Sequence, residues 1–209
     1  MKKSILAVTA LGVALTSCGL LGNVISGGPG FAGGVNGTAP AASNYGLSML
    51  RFTSFGGANT EQSETAAFAS AIQITGGVGG FSGTLVATLD LGTDTQRFYK
   101  FIVYEDKTND AKYDMDATNG NGEKDKLLAD STNGKAEGGN RFLVFAKTAG
   151  EWTSGKPIKA GWNMVTDVDR NTTTDVNLGR GDDIVTQSLA GITITYPTPA
   201  ANAKSNASK

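Results

Sequence analysis

The segment DKTNDAKYDMDATNGNGEKD, from Asp106 to Asp125, concentrates carboxylate, amide and hydroxyl oxygens in a chain that is otherwise rich in glycine and weakly charged. Across its 209 residues the sequence has no histidine and one cysteine, Cys18. Without imidazole or a second thiol, Ser-His-Asp and Cys-His catalysis, the common zinc and copper ligand sets and c-type haem attachment are closed to it. Oxygen chemistry remains: holding a hard cation, acid–base catalysis by paired carboxylates, or recognition without reaction. The glycine run GGVGGF (76–81) is followed by a β pattern rather than a helix, so it reads as a turn and not as a phosphate cradle.

Within the acidic segment, Asp106, Thr108, Asp110 and Asp114 alternate, and Lys112 offers a backbone carbonyl between the last two. The spacing resembles the opening of calcium loops of the EF-hand and dockerin type, with side chains at about positions 1, 3, 5 and 9 and a carbonyl at 7. That resemblance implies calcium held by Asp106, Thr108, Asp110, Lys112 and Asp114. Two residues depart from it. Ala111 stands where glycine makes the sharp turn, and Ala117 where a bidentate Glu closes the shell. Asp116, Glu123 or Asp125 must then complete the coordination, folded back by the turns of NGNGEKD, and Asp116 joins the candidate set. A strand ending in VYED, this loop, and KLLAD opening the next strand are similar to calcium-dressed hairpins of bacterial surface β-sandwiches.

A possible second metal segment, DVDRNTTTD, sets Asp167, Asp169, Asn171 and Asp175 at the same intervals. Here a strand from Gly161 to Asp169 competes, because alternate residues of a strand share a face without converging on a point. An acid–base pair for glycan hydrolysis is the catalytic alternative; it needs one carboxyl with a raised pKa in an apolar cleft. Lys107, Lys112, Lys124 and Lys126 dilute these acids, which suits an open loop, so the expectation is a protein that is not an enzyme. Trp152, in the turn-rich AGEWTSGKP, is the candidate for stacking on a ligand ring, whereas Trp162 reads as core.

The chain opens MKKSILAVTALGVALTSC, with Lys2 and Lys3 before an apolar stretch from Ile5 to Leu15 that is too short to span a bilayer stably. Its end, Leu15-Thr16-Ser17-Cys18, resembles the lipobox of bacterial lipoproteins. That resemblance implies cleavage before Cys18, a diacylglycerol on its sulfur, and an exported protein held in the cell envelope by lipid. Gly19 rather than Asp after the cysteine favours the outer membrane where the host has two. A formal charge of −1, more negative once the two lysines are removed, argues against nucleic acid as a partner.

What must position these residues is read from hydrophobic period. GITITYP (191–197) and TLVATLDLG (84–92) alternate as half-buried strands, while RFYKFIVYE (97–105) and NRFLVFAK (140–147) are apolar on both faces, as in central strands. LSMLRFTSF (47–55), SAIQIT (70–75) and GWNMVTDV (161–168) are further strand candidates, and TEQSETAAFASA (60–71) is the one stretch with helical character. The fold class expected is all-β: a single antiparallel β-sandwich of about seven or eight strands. Its core is expected from Leu85, Leu89, Phe101, Val103, Phe142, Val144, Trp162, Ile192 and Ile194. The organisation expected is a signal peptide (1–17), a lipidated cysteine with a glycine-rich flexible tether (18–45), the sandwich (46–196) and a disordered tail (197–209).

The whole resembles small surface lipoproteins of bacterial envelopes, some with bodies similar to transthyretin-like or carbohydrate-binding modules. The function this implies is a non-catalytic binding or structural module with a calcium-stabilised loop. Its partners would be the membrane, through Cys18, and envelope polysaccharide or a surface-layer protein. A carboxylate-dependent glycan hydrolase and a lipid- or solute-carrying lipoprotein are the alternatives.

Overall fold

Strand β6 (Gln96–Glu105) is apolar on both faces, and the architecture follows from covering both. In a strand, successive side chains point to opposite sides, so Tyr99, Phe101 and Val103 face one way and Phe98, Ile102 and Tyr104 the other. The computed structural model describes residues 27–52, 62–63, 68, 72–115, 123–132, 140–153, 155–167 and 183–197. Among these there is no α-helix, and the short helical element is a single 3-10 turn, Thr75–Gly77.

One edge of β6 pairs along its length with β2 (Tyr45–Phe52), and the other pairs first with β8 (Asn140–Ala146) and then with β7 (Lys126–Asp130). Ser131 splices the two partners. Its N–H donates to the Phe101 carbonyl at 2.9 Å, its hydroxyl accepts from the Phe101 N–H at 3.1 Å and donates to the Arg141 carbonyl at 2.7 Å. The sheet continues from β8 to β11 (Gly161–Asp167) and β12 (Ile184–Thr186). On its far side β2 carries β3 (Gln62–Ser63) and β4 (Ile72–Gln73), which makes eight strands.

The inner face of this sheet packs on a three-stranded sheet of order β13 (Ala190–Thr195), β1 (Gly30–Asn36), β5 (Gly79–Thr84). The two sheets form the sandwich. Between them lie Leu47, Met49, Tyr99, Phe101, Val103, Leu143, Phe145 and Trp162 from one side and Phe31, Val35, Phe81, Ile192 and Ile194 from the other. At the centre Phe31 contacts Phe68 and Phe101 at ring-centroid distances of 5.3 and 5.1 Å, and Phe81 lies 6.1 Å from Phe101.

The sequence expectations are corrected at several points. The tether does not reach residue 45: β1 lies inside it, with Phe31 and Val35 buried. The GGVGGF run is not only a turn, since Gly79, Gly80 and Phe81 open β5. In the expected strand 84–92 only Thr84 and Leu85 are paired, the latter in a single bridge to Phe68, and the chain then loops. In 60–71, the stretch with helical character, Gln62–Ser63 is a strand and Phe68 is extended against Leu85; the rest lies outside the described residues. Pairing is not wholly antiparallel, because β1 runs parallel to β13. Strands so far apart in sequence need no hairpin, which removes the usual reason for antiparallel order.

Glycine explains why β1 and β5 escape a reading by hydrophobic period. In their register Phe31 faces Gly83 and Phe81 faces Gly33. A Cβ on Gly83 would lie 2.7 Å from the Phe31 ring, and one on Gly33 would lie 2.5 Å from the Phe81 ring and 2.3 Å from the Ile192 carbonyl oxygen. Each ring therefore lies across the bare backbone of its partner, and the pair is apolar although each strand alone is rich in glycine.

The outer face of the large sheet has two separate covers. The hairpin β9 (Gly150–Thr153) and β10 (Lys156–Ile158) lies over Phe142, Val144, Ala146 and Val165, using Trp152 and Ile158. Phe142 and Val144 are thus buried as expected, but in this second cluster rather than between the sheets. Beyond it, Tyr113 and Met115 fold back over Leu50, Ile102 and Tyr104. Gly33→Ala is expected to destabilise the fold by about 3 kcal/mol through overpacking against backbone, lowering the melting temperature by roughly 6–12 °C in a thermal melt.

Candidate functional site

The second outer cover is the acidic loop, and its position follows from Tyr104. This residue is fully buried, and its ring lies on Gly46, whose Cβ would stand 2.3 Å from the Tyr104 Cζ. Tyr113 meets it edge-on at 5.2 Å, anchoring the loop on the sheet from within.

From that anchor the backbone curls around Asp106, which has no exposed surface. One carboxylate oxygen, Oδ1, accepts from the Asn109 N–H at 2.6 Å and the Thr108 hydroxyl at 3.3 Å; Oδ2 accepts from the Ala111 N–H at 2.9 Å. Turning those N–H groups inward requires left-handed backbone at Asn109 and Ala111, with φ of 56° and 61°. Asn tolerates that region, whereas Ala meets its own Cβ and is strained by about 1–2 kcal/mol. Ala111 is the residue that occupies the glycine position of the calcium-loop spacing.

Asp125, only 2% exposed, closes the loop from its far end. Its Oδ1 accepts from the Lys107 N–H and its Oδ2 from the Asp114 N–H, both at 2.9 Å, and its own N–H donates to the Asp114 carbonyl at 3.1 Å. Asp110 forms a local turn at the surface, accepting from the Lys112 N–H at 2.9 Å.

Among the described residues, two buried polar atoms in this region have no hydrogen-bond partner: Asp114 Oδ2 and the Tyr104 hydroxyl. Burial first, then the like charges of Asp110 and Asp125, raises the Asp114 pKa, with Lys112 pulling it partly back. Burial also raises that of Asp125, opposed by the N–H groups of Asp114 and Lys107. The Tyr104 phenol is driven well above its ordinary range by burial and by the carboxylates of Asp106, Asp125, Asp110 and Asp114. The hydroxyl thus lies in a field made by four acids.

Asp106, Thr108, Asp110, Lys112 and Asp114 lie along one curled loop, with Asp106 and Asp114 buried and Asp110 exposed at its surface. Among the described residues, no three acidic or cysteine side chains already form a metal-holding set. Asp116 lies outside the described residues, as do Cys18, Asp169, Asn171 and Asp175. Asp167 ends β11 in register with Asn140, inside the strand that competed with the second metal segment. Trp152 is half-buried: its ring packs on Phe98 and Phe142 at 5.9 and 5.8 Å, and its Nε1 donates to Asp183 Oδ2 at 3.0 Å. Sequence reading named Asp125 only as one of three acids able to complete a shell, and missed Tyr104. The available signal was an acid at each end of one inter-strand loop.

Beside the loop lies a cleft of about 580 Å³ with Lys107, Lys124 and Lys126 around Leu127. Asp125 is the one acid among the described residues that line it, and both its oxygens hold backbone N–H groups. No protein-family model matches the chain, nor does any curated protein or solved structure. Its functional reading therefore rests on the geometry of its own residues.

The pKa shifts give a pH dependence of definite sign. A carboxyl raised in the folded state above the ordinary aspartate value of 3.8 contributes stability that is present below that pH and lost as pH rises through the shifted value. Asp114→Asn removes this titration. In a chelating buffer the melting temperature of the native chain is expected to fall relative to that of D114N as pH is raised from about 4 to 7; a constant difference would show that Asp114 is not shifted.

Proposed function

We propose that this protein is an exported, lipid-anchored envelope lipoprotein whose β-sandwich acts as a non-catalytic binding or structural module, with calcium clasping the 106–125 loop. The observation that carries the metal reading is the left-handed backbone at Ala111, which turns its N–H onto the buried Asp106 at the glycine position of the calcium-loop spacing. The residue set fits a hard cation. A carboxylate oxygen offers two acceptor directions, so Asp106 can hold loop N–H groups and still face an ion. Asp110, the Lys112 carbonyl, Asp114 and the adjoining Asp116 would supply further oxygens, with the Thr108 hydroxyl beside them. A bound calcium supplies charge neutralisation and a cross-link.

The anchor and the loop divide the labour. A diacylglycerol on Cys18 gives two chains, and each buried CH₂ contributes about 0.8 kcal/mol to membrane attachment, enough for stable anchoring. The body then presents the loop and the lysine-rimmed cleft to envelope polysaccharide or a surface-layer protein. The hydrolase alternative draws on the raised pKa of Asp114, but it needs a second acid free to act across a cleft, and Asp125 is engaged on both oxygens.

Calcium at about a hundred times its Kd is expected to stabilise the fold by about 2.7 kcal/mol and to raise the melting temperature by roughly 5–10 °C. No shift at millimolar calcium sinks the metal reading. Expressed in a bacterial host, the chain is expected to incorporate labelled palmitate and to fractionate with membranes, and Cys18→Ser to do neither; label retained by C18S would overturn the anchor.

A further inference from the structure

The calcium loops that the spacing resembles close their shell with an acid in the last of about twelve positions, and Ala117 stands there. Geometry supplies a substitute. Asp125 reaches back from the start of β7 to the opposite side of the loop, where its two oxygens take the N–H groups of Lys107 and Asp114. It is thereby fixed between the first and last parts of the curl around Asp106. The two unpartnered atoms point to what belongs in the same space. Among the described residues, Asp114 is 7% exposed with its Oδ2 unpaired, and the hydroxyl of the fully buried Tyr104, which feels the charge of Asp106, Asp125, Asp110 and Asp114, is unpaired as well. Burying a carboxylate oxygen without a donor is costly, and a cation removes that cost where a neutral donor is lacking.

We infer that Asp125 closes the calcium shell from outside the usual loop, together with the free Oδ2 of Asp114, so that the ion ties the end of β6 to the start of β7 beneath the Tyr104 hydroxyl. The inference rests on the calcium reading above and adds to it the identity of the closing acid. It also states what the ion does. A loop closed within itself orders only itself, whereas a loop closed by Asp125 clamps two neighbouring strands of the large sheet together at one end.

The test uses the full chain, calcium chloride as titrant and terbium as a luminescent substitute excited through tyrosine. Asp125→Asn is expected to weaken calcium binding at least about thirtyfold, while Asp116→Asn and Glu123→Gln, the other acids able to close the shell, change it less than about threefold. Asp114→Asn is expected to weaken binding about tenfold and yet melt at or above the native temperature in chelator, since it removes an unpaired buried charge. A merely structural role would not produce that reversal of sign. Because Asp125→Asn also gives up a backbone contact, amide exchange is followed on the native chain as well. Calcium is expected to slow exchange of the Lys107 and Asp114 N–H groups, the two bonded to Asp125, about tenfold or more. Calcium binding that survives D125N but is lost in D116N or E123Q, or unchanged exchange at Lys107 and Asp114, overturns this inference and leaves the calcium reading standing. Absence of any calcium or terbium binding by the native chain removes both.

Discussion

The fold depends on one strand that has no solvent face. With Tyr99, Phe101 and Val103 on one side of β6 and Phe98, Ile102 and Tyr104 on the other, the chain must build a lid over each side or leave aromatic surface in water. The inner lid is a second sheet. The outer lid is divided, a hairpin over Phe98 and an acidic loop over Ile102 and Tyr104. A loop with so many charges would ordinarily stand away from the body. Here it is drawn down because Tyr113 and Met115 belong to the apolar cover, and its carboxylates are drawn down with it. The electrostatics of the site are a consequence of hydrophobic burial next door.

That coupling explains why neutral and charged interactions alternate so closely in the loop. Asp106 and Asp125 are buried yet satisfied, each holding backbone N–H groups that no strand partner takes. Asp114 is buried and left with a free oxygen. The first two build the loop, and the third adds a buried negative charge to it. Strain at Ala111 and the raised pKa of Asp114 are two costs of the same arrangement, a curl tight enough to bury its carboxylates.

How much of this was legible in the sequence varied with the kind of signal. The all-β class and the central strands could be read directly, because β6 and β8 are apolar on both faces and β13 alternates. Eight of the core residues named from sequence are buried, with Leu89 half-buried at the edge. Strands β1 and β5 could not be read, because the apolar surface that fills Gly33 and Gly83 belongs to the facing strand, and no single stretch carries the pattern. For the same reason the tether was set too long. In the loop, spacing placed Asp106, Asp110 and Asp114 within one short curl, since that depends on near neighbours, but not that Asp106 would be buried on loop N–H groups and Asp110 exposed. Asp125 joins them only through the register of β7 on β6, which is a tertiary fact. The ring of Tyr104 was equally hidden, lying on a glycine of another strand.

The parallel pairing of β1 with β13 gives the molecule a mechanical character. The chain enters the sandwich at the start of β1 and leaves it at the end of β13, and the two strands lie side by side pointing the same way. A pull that draws the entry back toward a membrane while the exit is held elsewhere acts along both strands in opposite senses. Such a load is borne in shear, with the rungs from Gly33 to Asn36 resisting together, instead of parting one after another as in an unzipping hairpin. Under such a load, tension would fall on a pair of which one strand, β13, is plain in the sequence and the other, β1, is hidden by its glycines.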